Sequence, residues 1–176
     1  MINANKKRLR RTMMFLNAQK PGLIKDPYIY RPDSIMLDLE DAVAENQKDA
    51  ARFSLYHALK EINYRGCERV VRINGLDTHT EEDIHCAVAG GCDAIPYPQD
   101  RKRTGCTESG DRCRRVRKEV RYPGRPHTDH GSNRVCKRCY ESLDICEASE
   151  RLFGIALSGG DYTKDLQTHI TGTGLD

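Results

Sequence analysis

The stretch Ser34 to Val43, S-I-M-L-D-L-E-D-A-V, limits most tightly what this chain can fold into. A short apolar run stops abruptly on three acids, Asp38, Glu40 and Asp41. A buried parallel strand that delivers polar groups at its carboxyl end is how α/β proteins build sites. Two later stretches repeat the plan. Arg69 to Asn74, R-V-V-R-I-N, carries Arg72 at the end of a β-branched run, and Leu152 to Asp161, L-F-G-I-A-L-S-G-G-D, ends on Gly-Gly-Asp. Together they predict a cation and carboxylates along one rim of a parallel sheet.

The surrounding pattern agrees. Thr12 to Asn17 reads as a first strand, followed by a loop-rich segment with Pro21, Gly22, Pro27 and Pro32. Ser34 to Leu39 is the second strand. Gln47 to Ile62 predicts an amphipathic helix, with Ala51, Leu55, Tyr56, Leu59 and Ile62 on its apolar stripe and Lys48, Asp49 and Arg52 facing out. Glu68 to Ile73 is the third strand. A helix from Glu81 to Ala89 stops at Gly90-Gly91, and Cys92 to Pro96 opens a fourth strand. Strand and helix alternate at βα spacing.

Composition narrows the classes. The formal charge of +3 is nearly balanced, and a mean hydropathy of -0.72 is low for a closed α/β barrel. No run of about 18 apolar residues is present, so no membrane span is expected, and Met13 to Leu16 is too short for a signal core. The chain reads as cytoplasmic, with its eight cysteines as reduced thiols. Cys136-x-x-Cys139 has no second half at zinc spacing, so no structural zinc is expected. No Gly-rich phosphate loop with its lysine occurs, and no nucleotide cofactor is expected.

The character changes in the middle. Gln99 to Tyr140 contains no Ala, Leu, Ile, Met or Phe, and sets thirteen Lys or Arg residues against five acids. Such a segment cannot bury enough apolar surface to offset its ordering entropy. The chain therefore divides into residues 1–98, a basic, cysteine-rich and disordered 99–141, and a globular 142–176.

Residues Arg8 to Asp93 resemble the beta subunit of citrate lyase, the citryl-acyl-carrier lyase family. The resemblance is carried by R-R-T-M-M-F, M-L-D-L-E-D-A-V, K-D-A-A-R, Y-H-A-L, V-V-R-I-N-x-L-D-T and A-V-A-G-G, and again by A-S-E-R-L-F-G-I-A-L-S-G-G-D-Y from Ala148. It implies an α/β fold, a partial TIM-type β/α barrel with a disrupted middle, and a C-terminal portion longer in the family than here. After the fourth strand the family continues P-K-T-E. Gln99 to Arg103 can be encoded CAA GAC CGA AAG CGC, which one base later reads K-T-E-S. Continued to Val135, the shifted frame permits F-G-I-P-E-G-R-T-L-I-M-A-A-I-E-S, again in the family's style. The resemblance thus implies that Gln99 to about Tyr140 is a frameshift product, corrected near Glu141.

The family's reaction is a retro-aldol cleavage of a citryl thioester to oxaloacetate and an acetyl thioester, with Mg²⁺ as cofactor. By resemblance Asp161 is a metal ligand, and the second ligand, a glutamate, is absent and falls opposite Arg134. Arg72 matches the substrate-binding arginine, whose planar fork suits a carboxylate. Asp38, Glu40 and Asp41 match the acidic catalytic motif, with Asp38 as a supporting acid. The partners implied are the acyl-carrier-protein and transferase subunits of the complex. Residue type and spacing alone leave other readings open. Arg72 suits a structural ion pair, Asp161 a turn, and Glu40 and Asp41 the cap of the next helix. The basic segment, with Tyr122 and Tyr140, offers a polyanion-binding reading, but no nucleic-acid module is visible. The expectation is a lyase-family chain that is inactive and poorly stable in this form, because an incomplete barrel exposes strand edges.

Overall fold

A computed structural model describes residues 8–75, 79–96, 111–112, 114–116, 128–133, 147 and 152–173. Six parallel strands form one sheet in the order β1-β2-β3-β4-β5-β6. They are β1 (Met13–Asn17), β2 (Ser34–Asp38), β3 (Glu68–Arg72), β4 (Ala94–Pro96), β5 (Thr128–Asn133) and β6 (Leu152–Leu157). Sequential parallel neighbours, joined by helices between β2 and β4 where the connections are described, are what right-handed βα units produce.

The first four strands fall where hydropathy places them, to within a residue or two. The loop-rich segment after β1 holds two short helices, α1 (Pro21–Ile24) and a 3-10 turn (Pro27–Tyr30), and each has proline at its start. Proline fits there because its missing N–H is unpaired at a helix start anyway. Helix α2 (Lys48–Glu61) and helix α3 (Thr80–Gly90) cover one face of the sheet. On that face Ile35, Leu37 and Leu39 of the β2 stretch meet Leu55 and Leu59 of α2 and Ile84 and Val88 of α3, all buried. The alternate positions, Met36, Val70 and Ala94, form a smaller cluster on the other face. The period-2 geometry of strands produces this split.

Gly90 and Gly91 are both required, for different reasons. Gly91 ends α3 in the left-handed conformation at φ 91°, with its N–H bonded to Ala87 O and Val88 O. Gly90 packs so closely on α2 that an added Cβ would lie 2.8 Å from Leu59 Cδ1.

Three expectations change. Lys48 and Arg52 do not face out. Lys48 is buried, its stem packed at the start of α2 and its ammonium on two carbonyls, and the Arg52 side chain is only 12 % exposed. Long cationic side chains bury their stems when partners lie within reach of the head. Asp161, whose alternative reading is a turn residue, lies in the first turn of a further helix, α4 (Gly159–Asp165). Within the 99–141 segment, Thr128–Asn133 forms β5, and Val116 is buried in the main core. The sequence T-D-H-G-S-N has no apolar residue, and β5 holds its place through backbone pairing to β4 and β6. The paired cysteines Cys136 and Cys139 and most of that segment lie outside the described residues.

Candidate active site

Register decides which side chains share the carboxyl rim. Asn17, Asp38 and Arg72 are paired positions at the ends of β1, β2 and β3. The Arg72 guanidinium grips Asp38 in two-point fashion, Nε donating to Oδ1 at 2.7 Å and Nη2 to Oδ2 at 2.5 Å. Its remaining edge, Nη1, lies 3.2 Å from Glu40 Oε2 and 3.3 Å from Asp41 Oδ2. The Arg72 side chain also stands over the Phe15 ring, 5.6 Å from its centroid. Burial works against the Arg72 charge, but the bonds to Asp38 and the attraction of Asp38, Glu40 and Asp41 outweigh it, so its pKa is raised.

Asp38 does a second job. Its carboxylate accepts the backbone N–H of Glu40 at 2.9 Å and of Ala42 at 3.3 Å, which folds the acidic loop back over the strand end. Asn17 Nδ2 donates to Ala42 O from β1 at 2.5 Å. Asp38, with 3 % of its surface exposed, is therefore a positioning acid that fixes both the loop and the arginine. Asp41, 68 % exposed, is the outermost of the three. Neither Glu40 nor Asp41 caps α2, whose start has no side-chain cap.

Beneath the loop lies a buried polar network that sequence reading missed. Lys48 Nζ donates to Leu39 O at 2.6 Å and Glu40 O at 2.7 Å. Asn74 Nδ2 donates to Leu39 O at 3.1 Å and to Asp83 Oδ2 at 2.6 Å. Asp83, fully buried in the first turn of α3, also accepts the Asn74 N–H and Arg52 Nη1, both at 2.9 Å. A buried carboxylate with three donors is satisfied, and such a network locks its members in one arrangement. The available signal was Asp83 itself, an acid on the helical stripe of Ala87 and Gly90.

Asp161 stands at the same rim, beyond the end of β6, with its Oδ2 accepting from Ser158 Oγ at 2.6 Å. Sheet order separates β6 from β3 by two strands. The structure thus joins Asp38, Glu40, Asp41 and Arg72 in one cluster and holds Asp161 on a separate strand of that rim. Among the described residues, no group of three or more His, Cys, Asp or Glu side chains is set to hold a metal ion. The site expected to bear the second ligand, Arg134, lies outside the described residues.

Comparison with known proteins speaks to the family and the fold. Citrate lyase subunit beta of Leuconostoc mesenteroides subsp. cremoris is 42 % identical over 94 % of this chain and 55 % of its own length. The subunit from Escherichia coli K12 is 33 % identical over 99 % of the chain and 58 % of its length. The chain therefore spans a little over half the length of these curated relatives. Among solved structures, the citrate lyase beta subunit of Mycobacterium tuberculosis complexed with oxaloacetate and magnesium superposes with a TM-score of 0.69. It covers 96 % of this chain and 69 % of its own, at 22 % identity, and so speaks to the fold. The family pattern described as HpcH/HpaI aldolase/citrate lyase matches residues 11–176, and the chain belongs to that family.

Proposed function

We propose that this chain carries the substrate-gripping side of a citrate lyase beta-type site, for cleavage of a citryl thioester to oxaloacetate and an acetyl thioester. In that reaction the tertiary hydroxyl loses its proton and becomes a keto group. The carbon–carbon bond breaks, and its electron pair passes to the acetyl thioester as an enolate, which is then protonated. The observation that carries the reading is Arg72 at the carboxyl rim. Asp38 fixes its Nε and Nη2, and Nη1 points to the outer edge, against Glu40 and the exposed Asp41. A substrate carboxylate displacing Asp41 would meet a cation that is already oriented.

Mg²⁺ is the cofactor this reading implies, supported by relatives solved with magnesium. Of the two ligands the resemblance implies, the described residues hold one, Asp161, and the other position is Arg134 in this chain. For that reason we propose that the chain by itself turns over citryl thioester little or not at all. The frameshift reading is compatible with this. With the shifted-frame glutamate opposite Arg134, its preceding residues L-I-M-A-A-I fall on Thr128–Asn133, the span of β5. A non-catalytic remnant of the family is then the second reading. The partners would be the acyl-carrier-protein and transferase subunits, in the cytoplasm. Among the described residues, no helix is long and apolar enough to cross a membrane.

The test is paired. Oxaloacetate binding is followed by ligand-observed NMR, and turnover by reduction of released oxaloacetate with NADH and malate dehydrogenase. Binding that is lost in Arg72→Ala, without turnover, is the expected result. Absence of oxaloacetate binding by the folded chain would sink the site assignment. Robust magnesium-dependent turnover would sink the assignment of inactivity.

A further inference from the structure

The opposite rim of the sheet, at the amino ends of the strands, is held by its own ion pairs. Glu68, 2 % exposed, takes both Nε and Nη2 of Arg10 at 2.7 and 2.6 Å, and Ser34 Oγ at 2.8 Å. Asp33 is held in two-point fashion by Arg11 at 2.9 and 3.0 Å, and Asp93 by Arg69 at 3.0 and 3.2 Å. These pairings engage Glu68, Asp33 and Asp93, although Asp93 also feels the charge of Arg8, and Asp93 and Asp33 each line one of the cavities beside them. Two adjoining cavities of about 370 and 530 Å³ open here, and Arg8 and Arg65 line both. Arg31 lines the larger. Among the described residues, no carboxylate lies within ion-pair distance of Arg8, Arg31 or Arg65. Arg8 Nη1 is buried and has no hydrogen-bond partner.

A buried guanidinium nitrogen without a partner is costly unless something supplies an acceptor. Backbone geometry fixes where two of these arginines sit. Arg31, at φ 53°, ends the Pro27–Tyr30 turn in the left-handed conformation common at helix ends, and Arg65, at φ 51°, adopts it within a tight turn. Arg65 and Gly66 are the two central residues of a turn closed by Cys67 N–H to Tyr64 O at 3.0 Å, and both have positive φ. That turn suits Asn-Gly or Gly-Gly, so an arginine at its first central position is held there against preference. The turn is anchored by Tyr64, whose hydroxyl donates to Ile24 O at 2.8 Å, and by Arg65 stacked 4.4 Å from the Tyr28 ring centroid.

We propose that this amino rim is a binding site for a phosphate group, free or as a phosphate monoester, held by Arg8 and Arg65 with Arg31 at its edge. Three arginine forks on one cavity match a dianion with several acceptor oxygens better than a single carboxylate. Cavities of this size accept a small organic body attached to the phosphate. The site lies at the opposite end of the strands from Arg72 and does not depend on the proposed lyase reaction.

Calorimetric titration of the full chain with inorganic phosphate at fixed ionic strength, and in parallel with AMP, tests it. The expected result is saturable binding of phosphate, weakened about ten-fold by Arg8→Ala and by Arg65→Gly, and unchanged by Lys20→Gln at the other rim. Arg65→Gly relieves the left-handed strain, so this variant keeps or gains thermal stability while losing the ligand. Equal affinities for phosphate and AMP would identify the free ion as sufficient, and tighter AMP binding would identify a monoester. No saturable heat, undiminished binding in both arginine variants, or an equal loss in Lys20→Gln would overturn the proposal.

Discussion

Replacing Arg72 with methionine keeps most of the aliphatic stem over Phe15 and removes the charge. Asp38, 3 % exposed, then loses two charge-assisted bonds, and the Glu40 side chain, 16 % exposed, loses its cation. Leaving one member of a buried pair uncompensated costs about 3–5 kcal/mol. Asp38 keeps the N–H groups of Glu40 and Ala42, and Asp41 is too exposed to matter, so the low end of about 3 kcal/mol applies. With a urea slope of about 2 kcal/mol/M, the midpoint falls by about 1.5 M. The chain has no tryptophan, so far-UV circular dichroism is the natural probe. Adding Asp38→Asn removes the stranded charge while its amide oxygen can still accept from Glu40 N–H. The double variant should recover about 1.5 kcal/mol, a coupling well above the additive limit of about 0.5 kcal/mol for independent sites. A single-variant loss under about 0.5 kcal/mol, or strict additivity, would show that Arg72 and Asp38 do not act as a pair.

Other perturbations reach different parts of the molecule. Gly90→Ala forces a Cβ to within 2.8 Å of Leu59 Cδ1 and 3.1 Å of Leu59 Cβ, so thermal melts should show a loss of about 1–3 kcal/mol from overpacking. Burial pushes the Cys86 thiol up to about 12, so at pH 8 its thiolate fraction is on the order of one in ten thousand. Peptide mapping after brief iodoacetamide treatment should find Cys86 unlabelled in the native chain and labelled in urea, and rapid native labelling would contradict the burial. Arg11 holds Asp33 down at about 2, and Asp93 is lowered by Arg69 despite its burial. Both shifts are downward, so their stabilisation is complete above the ordinary carboxylate range near pH 4 and is lost as pH falls toward 2. Arg69→Gln should therefore flatten the acid side of the stability profile, as read by urea midpoints between pH 2 and 5.

Much of the fold was legible because a parallel sheet writes itself in near-continuous apolar runs. S-I-M-L-D and E-R-V-V-R could be placed with little ambiguity, and Gly-Gly marked the end of α3. The acids and Arg72 were legible as rim residues, since each follows such a run. Their pairing was not, because hydrogen-bond geometry between β2 and β3 is a matter of register and rotamer. Lys48, Arg52 and Asp83 were hidden for a different reason. Charged residues read as solvent-facing until a neighbouring element brings a partner to them, and that neighbour is remote in sequence. β5 was illegible by hydropathy, since T-D-H-G-S-N gives no periodic signal and the strand exists through its flanking partners.

That polar strand also divides the sheet by how readily it opens. β2 and β3 are each clamped between apolar neighbours, with Ile35, Leu37, Val70 and Val71 fully shielded from water. On β6, Ile155 and Leu157 are 36 % and 58 % exposed, and its partner β5 contributes no apolar residue to seal the seam. Amide protons are therefore released in sequence across the sheet. Those of β6 exchange through local opening, and those of β2 and β3 only when the whole core unravels. The βα units from Met13 to Pro96, with Val116 packed into their core, are the part of the sheet that such local openings leave closed.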